Sequence, residues 1–244
     1  MNAKKKLKKY LTKGLRRIRY RKGFGVHSPF VYSLITQVIG EHTPFYGYEE
    51  IRRLRRAYMP KRTFVPGRIY RVSPSLKYLF LAYRLINRFG CSEILEINNN
   101  GGLATMALSL PSKQCHVVSL GAGHRNMEQA RRIAEAEKAE NVTLEEGNLL
   151  ELIARLPAEY RADFVLVNKQ FGIHDVDMMF DLLRNHLHDH SILLLEKIHS
   201  DPEMRKLWGR FRSLPEVRTT VDLYELGLVI FDDKRYKQHF IVSF

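Results

Sequence analysis

The chain has 244 residues, 45% of them hydrophobic, enough for one large core with an appendage. Its net charge of +14 is uneven: residues 1–77 carry 20 Lys/Arg against 3 Glu, whereas residues 78–244 come to −3. No run reaches the ~20 apolar residues of a membrane span, no signal-peptide pattern follows the basic start, and Cys91 and Cys115 lack disulfide-framework or metal-ligand spacing. The cysteine usage predicts a reducing, cytoplasmic setting.

In residues 3–20, Leu7, Leu11, Leu15 and Ile18 share one helical face and Lys or Arg fill the rest, with Gly14 weakening the helix. Such a stretch suits a membrane surface, RNA, or docking on the rest of the chain. Gly23 to Phe30 reads as a loop entering a helix, with Ser28 as N-cap and Pro29 as the first helical residue. His27 is expected to cap or pack. Residues 48–58 form a helix with Ile51, Leu54 and Tyr58 inward and Arg52, Arg53, Arg55 and Arg56 outward. Lys4 to Lys22 together with Arg52 to Arg56 are the candidate contact for nucleic acid or an anionic surface, or else a solvated basic face. Tyr10, Tyr20, Phe24 and Tyr58 interleave with these charges and would stack on bases.

Ser73-Pro74 opens the next helix, which Gly90 stops. From there the period changes. Strands are expected at 93–97, 115–120, 142–144, 163–167 and 191–195, alternating with helices at 103–110, 124–139, 149–156 (after a turn at 146–148), 175–187 and 200–211. The end is β-rich, at 217–223, 226–231 and 240–244. Alternation predicts a mostly parallel sheet with helices on both faces, because a parallel crossover needs a helix-length connection. Residues 1–72 would form a basic helical extension and residues 73–244 the α/β domain. In such sheets a ligand lies at the carboxyl ends of the strands. Attention therefore falls on 96–102, 120–123, 146–148, 168–172 and 196–199. The first of these, Glu96-Ile97-Asn98-Asn99-Asn100-Gly101-Gly102, is a strand end, a small-residue turn and a helix start, the parts of a nucleotide or cofactor cradle.

The stretches GFGVHSPF, SPSLKYLFLAYRLI, EILEINNNGGLAT, NVTLEEGN, ADFVLVNKQF, HSILLLEKIHSDPEM and VDLYELGLVIF together resemble the class I S-adenosylmethionine-dependent methyltransferases, of the small bacterial O-methyltransferase-like sort. The resemblance spans about residues 23–244 and implies a Rossmann-like fold with a seven-stranded sheet and S-adenosylmethionine as cofactor. Glu96 and the Gly101 and Gly102 backbone would hold the cofactor's aminoacyl end, and Asn148 would contact the adenine. Asn168 and His199 would face the substrate, a small hydroxylated molecule by family likeness, with His199 as a base. A packing role beside a helix N-cap is the other reading of His199.

The sequence departs from that family at the chemistry. The three glycine positions of the first turn fall on Asn98, Asn100 and Gly102. Asparagine tolerates the left-handed region but brings a side chain into the cradle. The acid that would accept two ribose hydroxyls falls on Gly121, a loss of roughly 1.5–3 kcal/mol per charge-assisted hydrogen bond and at least about a hundredfold in affinity. Asn168 stands where an Asp is usual, and Glu196-Lys197-Ile198-His199 replaces two acids before Ile-His. A lysine there repels a divalent cation, so no metal site is expected. Two readings follow: a methyltransferase with an atypical cradle, or a degenerate, non-catalytic binding module that uses its basic N-terminal region.

Overall fold

The structure, a computed structural model, describes residues 11–12, 14–16, 28–59, 63–65, 68–70, 75–169, 175–232 and 234–244. His27, the Ser73-Pro74 start, Gln170, Phe171 and most of Lys4 to Lys22 lie outside these residues. Residues 11–12 and 14–16 are helical. Helix α1 (Pro29–Ser33) starts where expected, with the Ser28 side chain accepting from the Val31 amide, and runs on as a π-helical stretch, Leu34–Ile39. Next come α2 (Tyr46–Tyr58), a short hairpin β1 (Thr63–Val65) and β2 (Arg68–Tyr70), and α3 (Leu76–Phe89). The sequence reading had no strands at the hairpin. Gly90 ends α3 in the left-handed conformation (φ 64°) that the expected stop requires.

The alternating part follows as β3 (Glu93–Ile97), α4 (Leu103–Ser109), β4 (His116–Gly121), α5 (His124–Ala136), β5 (Val142–Glu146), α6 (Leu149–Ala154), β6 (Phe164–Val167), α7 (Val176–Arg184), β7 (Ile192–Glu196) and α8 (Pro202–Ser213). It closes with β8 (Val217–Asp222), β9 (Leu226–Phe231) and β10 (Gln238–Ile241). Strand order is β10-β8-β9-β7-β6-β3-β4-β5. The pairs from β5 across to β7 are parallel and β9 is antiparallel to both neighbours. The sheet has eight strands rather than seven because β10 adds parallel to β8. The direction of connection reverses between β3 and β6, the switch point at which such sheets place ligands.

Strand periodicity explains the layers. Ile94, Val117, Phe164, Leu166 and Ile192 pack against α1 to α4, while Leu95, Ile97, Val118, Val165 and Leu193 pack against α6 to α8. Val31, Ile51 and Leu54 from the basic N-terminal region share the first of these cores with the sheet. Among the described residues no helix is long and apolar enough to cross a membrane.

A buried charged side chain joins the N-terminal helices to α3. Arg84 on α3 is buried, and its guanidinium donates to the carbonyls of Val38 and Ile39 and to the Tyr48 hydroxyl. Those carbonyls belong to the end of the π-helical stretch, where backbone acceptors lack helical partners. Arg84→Met keeps the apolar stem but leaves these buried groups unpaired. A loss of about 2–4 kcal/mol in urea unfolding is expected, and a loss under about 0.5 kcal/mol would show that water satisfies them.

Candidate functional site

Glu96, Ser119 and Asn168 end three neighbouring strands or follow directly from them. Glu96 lies opposite Ser119 in register, and the Asn168 amide extends the ladder to the Ile97 carbonyl. The side-chain period of two turns all three toward α4. Glu96 is fully buried. Its Oε2 accepts from the Thr105 hydroxyl at 2.5 Å and the Ser119 hydroxyl at 2.7 Å, and its Oε1 accepts from Asn168 Nδ2 at 2.7 Å. Burial raises the proton affinity of Glu96, and the three hydrogen bonds oppose that rise.

Asn99 completes the arrangement. Its Nδ2 donates to Thr105 Oγ1 at 2.8 Å and Ser119 Oγ at 2.7 Å, the two hydroxyls whose own protons point to Glu96. Its Oδ1 accepts from the amides of Gly101 (2.9 Å) and Gly102 (3.1 Å). Asn99, Thr105 and Ser119 were not singled out from the sequence. A small polar residue in the second turn position and hydroxyls on the elements flanking Glu96 were the available signals.

The turn keeps its shape with a different distribution of residues. Left-handed φ angles fall on Asn98 (69°), Gly101 (80°) and Gly102 (84°). Asn98 therefore takes a glycine-like conformation, as expected. Asn100 does not, because Gly101 assumes the second left-handed position. Asn98 Nδ2 donates to the Asn168 carbonyl at 3.3 Å. Gly102 packs against α5 so closely that a Cβ would lie 2.7 Å from the Ala130 Cα.

Gly121 ends β4 and is buried. A Cβ on Gly121 would lie 2.2 Å from Met127 Sδ and 3.1 Å from Asn99 Cβ. Met127 is fully buried and occupies the direction in which any side chain at 121 would project. The acid closest in register is Glu146, opposite Gly121 on β5. It is held by Arg131 (2.7 Å) and His124 (2.7 Å), and these hydrogen bonds, Arg131 first, lower its proton affinity. Asn148 is exposed and caps α6, its Oδ1 accepting from the amides of Leu150 (3.0 Å) and Glu151 (3.4 Å).

After β7, Lys197 adopts a left-handed φ of 56° and its side chain is exposed. Lys169 pairs with Asp201 at 3.2 Å and its amide donates to Glu196, whose carboxyl also feels the Lys197 charge. Among the described residues no group of three His, Cys, Asp or Glu could hold a metal ion.

His199 belongs to a second cluster. Its Nε2 lies 2.6 Å from Asp222 Oδ2, and its ring stacks on Tyr224 with centroids 5.5 Å apart. Arg16 grips Asp222 with both terminal nitrogens, Nη1 to Oδ1 at 2.7 Å and Nη2 to Oδ2 at 3.1 Å, and its guanidinium also lies over Tyr224. Thus the structure brings together Glu96, Asn98, Gly101, Gly102 and Asn168, and sets Asn148 and His199 apart from that network. Of the four arginines of α2, Arg52 pairs with Glu49, and Arg53 with Glu50 and Glu137.

Burial pushes Asp222 up, but hydrogen bonds from His199, Arg16 and the Tyr224 amide outweigh it and hold the carboxyl well below the usual range. A depressed carboxyl stabilises the fold above its unfolded value, about 3.8 for aspartate, and that contribution is lost as pH falls further. Asp222→Asn is expected to flatten the pH dependence of stability below about pH 4, read from urea unfolding at successive pH values. An unchanged acid limb would contradict the pairing.

No family model matches the sequence, and no curated protein matches it. Solved structures do. An O-methyltransferase from Bacillus cereus in complex with SAH aligns with a TM-score of 0.57 at 18% identity, covering 80% of this chain and 96% of that one. The O-methyltransferase TomG from Streptomyces achromogenes, involved in tomaymycin synthesis and solved with SAM, gives 0.55 at 17% identity, over 83% and 95%. An SAH-bound methyltransferase from Podospora anserina gives 0.59 at 12% identity, over 84% and 97%. The chain has the fold of the class I S-adenosylmethionine-dependent methyltransferases.

Proposed function

We propose that this chain is a non-catalytic protein built on the methyltransferase fold, in which the cofactor cradle has become a structural knot. The observation that carries the reading is at Gly121. Not only is the ribose-binding acid missing, but Met127 and Asn99 fill the space into which an acid would extend. Two further features support it. The Gly101 and Gly102 amides, which the resemblance assigns to the aminoacyl end, both donate to Asn99 Oδ1. Glu96 has three internal donors and no oxygen left without a partner. The residues present do not fit S-adenosylmethionine in the family's manner, so no methyl-transfer step is derived. Asn168 serves the knot through Glu96, and His199 serves the Asp222 cluster.

Calorimetry and thermal melting with S-adenosylmethionine and S-adenosylhomocysteine test this. A site with a Kd a hundredfold below the ligand concentration stabilises by about 2.7 kcal/mol, roughly 5–10 °C for a chain of this size. No saturable heat and no such shift are expected at about 1 mM ligand, a hundredfold above a ~10 μM site. Saturable micromolar binding of either ligand sinks the proposal and restores the active reading.

The packing itself has a separate test. Gly121 has no positive φ, so an alanine there is opposed by Met127 and not by the backbone. Gly121→Ala is expected to cost about 1–3 kcal/mol in the wild-type background and well under half of that in Met127→Ala. Equal costs in both backgrounds would show that Met127 does not fill the space.

A further inference from the structure

We infer that the N-terminal helical segment is a docking surface for anionic lipid, independent of what the cradle binds. Residues 14–16 are helical and Arg16 faces the domain, its side chain 13% exposed and clamped on Asp222. Thr12, one turn earlier, is half-buried on the same side. Leu11 and Leu15 form the adjacent row, also one turn apart and about 100° round the helix, and are 59% and 68% exposed. A leucine row turned to solvent while the arginine beside it turns inward reverses the usual arrangement of a docked amphipathic helix. The sequence continues the row's spacing with Leu7 and Ile18.

The charge around this row selects the partner. Residues 1–22 contain eleven Lys or Arg and no Asp or Glu. Apolar side chains flanked by cations match the boundary of an anionic bilayer, where leucines enter the acyl region and lysines meet headgroups. Phosphates of nucleic acid would use the cations but give the two leucines nothing to bury against. Arg16 also sets the orientation. Asp222 ends β8, which runs in the same direction as β6 and β7, so the clamp holds the segment at the carboxyl edge of the sheet. That edge would face the lipid.

Co-sedimentation of the full chain with vesicles tests the inference. The chain is expected to pellet with phosphatidylcholine vesicles containing phosphatidylserine and to stay in solution with phosphatidylcholine alone. Partition should fall several-fold between about 0.1 and 0.5 M salt, as the screening length shortens. Leu11→Gln with Leu15→Gln should lower it roughly tenfold or more with an unchanged melting curve, since neither leucine is buried. The inference is overturned by failure to bind the anionic vesicles, or by partition that the double substitution leaves intact. It is equally overturned by salt-sensitive binding to polyuridylate, unaffected by the substitution, in a chain that ignores vesicles.

Discussion

A carboxylate buried at the centre of the sheet needs partners, and Glu96 has no cation among the donors it uses. Leaving such a charge unsatisfied would cost several kcal/mol. Three neutral donors, from α4, from β4 and from the residue after β6, satisfy it instead. They bind the ends of three adjacent elements to one side chain. The conformation of the following turn depends on this, because Asn99 reaches back to the same two hydroxyls while holding the Gly101 and Gly102 amides. The donors run in one direction, from the Asn99 amide to the hydroxyls and from the hydroxyls to Glu96. Remove one member and another is left buried and unpaired, so the group behaves as a unit.

The second polar cluster follows a different logic. Arg16, Asp222, His199 and Tyr224 combine a charged pair with stacked rings near the surface. Hydrogen bonds to an ionised partner are stronger than neutral ones, and this cluster ties a basic segment onto the main body. The two clusters divide the carboxyl edge of the sheet between them. One has only neutral donors around its carboxyl group and is closed around the switch point. The other is ionic and lies at the β7–β8 side, where the N-terminal segment arrives.

The alternating strands and helices were legible in the sequence because parallel strands buried on both faces read as short apolar runs. Ile94 to Ile97 and Phe164 to Val167 are the clearest cases. Caps were legible too, as at Ser28 and Gly90, since only a few residue types satisfy those geometries. The eighth strand was misplaced because Gln238 and His239 carry no apolar signal and are placed by pairing with β8. At the candidate site the substituted positions stood out, but their consequence did not. That Gly121 lies under Met127 depends on how α5 packs, and that Asn99 governs the turn depends on Ser119, 20 residues away. His199 was noted without Asp222 or Arg16, which are distant in sequence and carry no motif.

The Arg16–Asp222 contact closes a loop of 206 residues, nearly the whole chain. Contacts of such separation carry a high loop-closure entropy and form late. A chain made from its N-terminus releases Arg16 long before Asp222 exists, and domains begin folding as they emerge. For most of synthesis Arg16 therefore lacks its Asp222 partner. The clamp orders events in time as well as in space: the segment settles on the domain only after β8 has been added to the sheet.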